Sequence, residues 1–147
     1  MDRILSRKTL ARFLKFLLVG ASGFAVNAGV YLLLKELSRE ELFLRVIAPF
    51  VSFEISIYSN YCIYHHWVWR DRRKETRREY WLAFLHYNIA AGFGFLIIIA
   101  VMNLAIALVP WFRADSGRYI FANLAGAAVA AVFNFLATDR IVFRRKK

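Results

Sequence analysis

Charged residues in this chain fall in short blocks, and the sequence between the blocks is almost wholly apolar. Four stretches, Phe16–Leu34, Val46–Trp69, Tyr80–Phe112 and Tyr119–Thr138, hold no Asp, Lys or Arg and a single Glu, Glu54. A helix advances about 1.5 Å per residue and needs about 20 apolar residues to cross the hydrocarbon core, so each stretch is long enough. Backbone polar groups in lipid must be satisfied within their own segment, which makes these stretches helices. The expected fold class is an all-α membrane protein with four transmembrane helices. They form one membrane domain over residues 1–147, with spans near 14–34, 46–67, 82–108 and 119–140. The third stretch exceeds one upright crossing, so its ends lie in the interfaces or the helix tilts. Trp67, Trp69, Tyr80, Trp81, Trp111 and Tyr119 flank the connections, and such rings favour the headgroup level.

Composition agrees: 60% of residues are hydrophobic and the mean hydropathy is +0.44, with a formal net charge of +11. Lys and Arg in successive blocks number 5, 3, 6, 2 and 5. Basic residues in short loops stay on the cytoplasmic side, so both termini and the middle connection are expected there. The basic residues stand beside spans, where their partners are anionic phospholipids and not nucleic acid. The first apolar segment has no short apolar core ending in a small-residue cleavage site, and is read as a retained span. Cys62 is the one cysteine, which leaves no pair for a disulfide or thiolate cluster.

An internal repeat runs through the chain at an offset of 74 residues, laying Asn60–Arg70 over Asn134–Arg144. The same offset pairs Phe13 with Tyr87, Gly20 with Gly94 and Ala48 with Ala122. Repeat one covers about 12–70 and repeat two about 86–144, each a helical hairpin, and the two are expected as parallel repeats. Ser52 and Ser56 align with Gly126 and Ala130, and each pair continues to an Asn on the same helix face. Small residues let helices approach closely, so the second and fourth helices are expected to pack through these faces, against each other. Gly20, Gly23 and Asn27 make a comparable face on the first span.

Glu54 is the first candidate for function, since a carboxylate well inside a span faces protein or water. Tyr58, Tyr61 and His65 follow it at helical spacing, giving a polar stripe toward the cytoplasmic end. Two readings stay open: a path for a polar group, or a Glu that ties two helices together. Metal ligation is not expected, because adjacent His65 and His66 point apart on a helix and His86 is the one other histidine. Arg70, Arg72, Arg73, Arg140, Arg144 and Arg145 end the two repeats on one membrane face. They serve as topology anchors, or some of them grip a phosphate. Phosphate-cradling, nucleophile-elbow and zinc-protease motifs are absent, so neither enzymatic activity nor a cofactor is expected.

The segment Arg12–Gly20, the closing pattern Asn60-Tyr61 to Trp67-Val68-Trp69-Arg70, and Asn134-Phe135 to Val142-Phe143-Arg144 resemble the GtrA-like family along essentially the whole chain. His65 and Asp139 stand where that family often has a basic residue. The resemblance implies a bacterial inner-membrane protein that flips a polyprenyl-phosphate-linked sugar for cell-surface polysaccharide or glycolipid synthesis. On that reading Glu54, Tyr58, Asn60, Tyr61, His65, Arg70, Asn134, Arg140 and Arg144 contact the substrate. Four helices enclose little room, so a homo-oligomer, most simply a dimer, is expected. The alternatives are a small proton-coupled exporter using Glu54, or a non-transporting anchor whose partner is a membrane glycosyltransferase.

Overall fold

The computed structural model describes residues 7–109, 111 and 119–144. Arg145 and the side chain of Tyr119 lie outside the described residues. All regular structure among them is helical: α1 (Arg7–Leu37), α2 (Ala48–Ile63), α3 (Arg77–Leu108) and α4 (Tyr119–Ala137). With their wide-turn extensions, the four helices are long and apolar enough to cross a membrane. The protein is therefore an all-α, multi-pass membrane protein. Helices α1 and α3 begin within the basic blocks, at Arg7 and Arg77, since Arg, Lys and Leu are good helix formers and nothing there breaks the backbone. The chain divides into two compact units, Met1–Arg77 and Arg78–Lys147.

The first unit is an antiparallel hairpin of α1 on α2. Phe16, Val19 and Gly23 form the buried face of α1, against Ser52, Ser56, Ile57 and Tyr61 of α2 and the residues that follow it. Pro49 follows directly on a wide turn at Phe43–Ile47, which loosens the helix where the proline supplies no N–H to the preceding turn. The carboxamide of Asn60 lies directly over the α-carbon of Gly23, where a β-carbon would come within 2.5 Å of its Oδ1. Close approach is the reason for glycine at this position. Lipid offers little hydrophobic drive between helices, so such van der Waals contact holds the hairpin together. Ser52 and Ser56 turn their hydroxyls back to the carbonyls of Pro49 and Phe53, at 3.0 and 2.9 Å. Both are thus satisfied within α2 and present smooth, small surfaces.

The second unit is built the same way from α3 and α4. Asn134 lies over Gly94 as Asn60 lies over Gly23. Tyr87, Ala90 and Gly94 are buried on α3 where α1 buries Phe16, Val19 and Gly23. These α1 and α3 positions are 71 residues apart, whereas the α2 and α4 positions are 74 apart. The sequence pairing of Phe13 with Tyr87 and Gly20 with Gly94 is therefore displaced by three residues, and Gly20 itself is exposed. A shift of three is nearly one helical turn and leaves a residue close to its original face, so the sequence match looked coherent. Gly126 faces Ile98 of α3, whose carbonyl oxygen would lie 2.7 Å from an added β-carbon. That surface, expected to meet the second span, is taken up inside its own hairpin. Ala130 is buried on the same helix.

Candidate functional site

Each hairpin ends in the same backbone device. After α2 the helix widens over Tyr64–Val68, and the N–H of Trp69 reaches back five residues to the carbonyl of Tyr64 at 2.8 Å. After α4 it widens over Thr138–Val142, and the N–H of Phe143 bonds the carbonyl of Thr138 at 2.9 Å. Trp69 and Phe143 then leave helical geometry at φ/ψ of −111°/36° and −107°/44°. Wide turns of this kind are uncommon inside helices and concentrate at functional sites.

The turn swings Trp69 inward. Its indole meets the Tyr64 ring edge-on with centroids 5.4 Å apart, and Phe16 edge-on at 6.2 Å. Phe16 and Tyr64 stack at 5.0 Å, and the Tyr64 hydroxyl donates to the Phe16 carbonyl at 3.1 Å. Trp69 is fully buried. At the end of its span the wide turn thus directs this ring into the hairpin and not toward lipid. Trp67 and Trp81 remain exposed, and Lys15 sits 5.1 Å over the Trp67 ring.

From this anchor the chain folds back as a short 3₁₀ turn, Arg70–Arg72, with the Arg72 N–H on the Trp69 carbonyl at 2.8 Å. His65, buried in the hairpin, accepts the Lys74 N–H on Nε2 at 3.0 Å. An accepting Nε2 leaves the ring proton on Nδ1, so here the imidazole holds the loop. His66 Nδ1 donates to the Cys62 carbonyl at 2.8 Å, and Arg73 donates to the His66 carbonyl at 3.1 Å. Arg12 of α1 closes the end, donating from Nη2 to both carboxylate oxygens of Asp71 at 2.9 and 3.0 Å. Arg72 brings Nε to 3.6 Å from the same carboxylate. Two guanidinium groups, one from α1 and one from the turn, thus converge on one acidic side chain.

This arrangement belongs with a match along nearly the whole sequence. The model of the family described as GtrA/DPMS, transmembrane domain, matches residues 15–143. The chain belongs to this family. No curated protein matches it. The matched region begins at Lys15, within α1, and runs through both wide turns, so it contains both Asn–Gly contacts.

Within this domain the candidate residues part company. Tyr61 and His65 are buried together with ring centroids 6.1 Å apart, whereas Tyr58 is 41% exposed and points away from the hairpin interior. Glu54 is half-buried one turn before Tyr58. The expected stripe therefore splits, with Tyr61 and His65 in the packed interior and Tyr58 on the outer surface. Arg70 in the first unit and Arg140 and Arg144 in the second are exposed. Asn60 and Asn134 are half-buried, and the Oδ1 of each has no hydrogen-bond partner among the described residues. Among the described residues no group of His, Cys, Asp and Glu is arranged to hold a metal. The sequence reading missed Arg12 and Asp71, which meet although they stand 59 positions apart. The one signal for them was an Asp alone among the basic residues of Arg70–Lys74.

Proposed function

We propose that this protein translocates a polyprenyl-phosphate-linked sugar across the bacterial inner membrane, with both termini in the cytoplasm, and is not an enzyme. The GtrA/DPMS family is linked to movement of sugar lipids across membranes. The observation that carries the reading is the guanidinium-rich end of the first hairpin. Arg12, Arg70, Arg72 and Arg73 are set around a turn pinned by buried Trp69 and His65, directly beside apolar helix surface. Such an end suits a molecule with a phosphate headgroup and a hydrocarbon tail, since guanidinium groups bind phosphate oxygens while the tail stays in lipid. Glu54, Tyr58 and Asn60 in the first hairpin, and Asn134 in the second, are the polar side chains offered to the sugar, each within its own unit. A homodimer provides the enclosure that four helices lack, and anionic phospholipids and a membrane glycosyltransferase are its further partners.

The test is transport in vesicles reconstituted with the purified full chain, reading how fast a polyprenyl-phosphate sugar becomes accessible from the opposite side. Arg70→Gln and Arg144→Gln are expected to slow transport together, each loss corresponding to about 1.5–3 kcal/mol of a charge-assisted contact at most. Lys in the same places restores only part, because it keeps the charge and loses the planar fork. Rates equal to protein-free vesicles would refute translocation. Equal rates for wild type, Lys and Gln variants would return these arginines to anchoring.

A further inference from the structure

Asp71 is the one acidic residue in the run Arg70–Lys74, and its carboxylate faces two arginines. Both oxygens bind one guanidinium nitrogen of Arg12, and Arg72 Nε flanks Oδ2. A carboxylate and a phosphate ester both present equivalent oxygens that share negative charge, and the same guanidinium groups serve either. The geometry points to an exchange. We propose that Asp71 is a built-in competitor, its carboxylate occupying Arg12 and Arg72 until a lipid phosphate displaces it. The inference rests on the reading that the chain binds a phosphate-bearing lipid.

Three observations support exchange over a fixed structural tie. The Asp71 side chain is 49% exposed and that of Arg12 20%, and ion pairs open to water contribute little and part readily. The turn that carries Asp71 is held by other contacts: the buried Trp69 indole, the Arg72 N–H on the Trp69 carbonyl, and the Lys74 N–H on His65. The carboxylate can therefore swing away while the backbone stays. Arg72, by contrast, has a side chain only 11% exposed and remains in place to receive the next anion. Arg70 and Arg73, both exposed beside it, leave the emptied site strongly cationic.

The exchange is tested by titrating the purified full chain with farnesyl phosphate, inorganic phosphate and farnesol as separate probes. Asp71→Asn is expected to bind farnesyl phosphate about threefold to fivefold more tightly than wild type, the scale of a partly exposed ion pair, with farnesol unchanged. Adding Arg12→Gln to that variant abolishes the gain. A gain confined to farnesyl phosphate identifies a lipid headgroup, and an equal gain with inorganic phosphate identifies a free anion; both support the exchange. Wild type that binds neither phosphate removes the underlying reading and this one with it. Wild type that binds, with Asp71→Asn equal or weaker, overturns the exchange alone. A second measurement needs no variant to fold: carbodiimide coupling at Asp71 in wild type, read by mass spectrometry, rises on adding farnesyl phosphate and not farnesol. Coupling that stays constant while the lipid binds also overturns the exchange.

Discussion

The contacts at Gly23 and Gly126 look alike in sequence and differ in what a methyl group would meet. At Gly23 an added β-carbon collides with the end of the Asn60 side chain, lying 2.7 Å from its Cγ. That carboxamide swings on two torsions, so the collision is relieved by a rotamer change. At Gly126 the same atom meets backbone, 2.7 Å from the Ile98 carbonyl oxygen and 3.1 Å from its α-carbon. Backbone cannot swing aside, so α4 must draw back from α3 by roughly 0.7 Å. A gap of that size forfeits about a quarter to a half of each dispersion contact, and overpacking of this kind costs about 1–3 kcal/mol. The helix-propensity gain of Ala over Gly, about 1 kcal/mol, is common to both substitutions and cancels in the comparison. Gly126→Ala is therefore expected to be about 1–3 kcal/mol less stable than Gly23→Ala. Unfolding in mixed micelles by titration with a denaturing detergent measures the difference, with Val132→Leu on the exposed side of α4 as the silent control. Gly126→Ala as stable as Gly23→Ala would refute the assignment of Gly126 to a backbone contact.

Trp69→Ala removes a fully buried indole and is expected to cost about 3–5 kcal/mol in the same titration. Trp69→Phe should cost much less, because Phe143 fills the equivalent place in the second unit; equal losses would show that the ring is not packed as described. Single cysteines in Arg39–Leu42, in a chain with Cys62 replaced, are expected to react with an impermeant thiol reagent outside intact cells, and cysteines in Arg73–Thr76 are not. Reversed labelling would overturn the charge argument for topology.

The four spans were legible because charge exclusion over 19 or more residues has one common physical meaning, and the helices lie where that exclusion placed them. The Asn60 and Asn134 contacts were half legible: each Asn was marked by the repeat, but its glycine partner was not. Helical periodicity tolerates a slip of three, so Gly20 and Gly23 fit the pattern equally well in one dimension. The inward packing of Trp69 was not legible either. Its aromatic type and span-end position speak to depth along the helix, whereas the five-residue backward hydrogen bond decides which way the ring turns. Nothing in local composition announces a wide turn. Arg12 and Asp71 were illegible for want of distance information, since an ion pair between remote residues leaves no periodic trace.

The two units share a frame and differ in chemistry, which bears on where the site lies. Asn–Gly contacts, wide turns and a buried terminal aromatic recur in both. Tyr64, which donates its hydroxyl to α1, is replaced by Thr138, whose buried hydroxyl has no partner among the described residues. His65, which holds the Lys74 amide, is replaced by Asp139. By the spacing that relates Gly23 to Gly94, Arg12 corresponds to buried Ala83, and by the 74-residue offset Asp71 corresponds to Arg145, so neither member of the Arg12–Asp71 pair recurs in the second half of the sequence. A symmetric phosphate site using Arg70 and Arg144 equally would require matched surroundings, and these are not matched. The first hairpin carries the guanidinium groups that converge on Asp71 and the loop-holding imidazole, while the described residues of the second keep the packing without that pair or that imidazole. Arg70→Gln should accordingly weigh more on phosphate-lipid binding than Arg144→Gln, even though both residues are exposed and both close the same sequence motif.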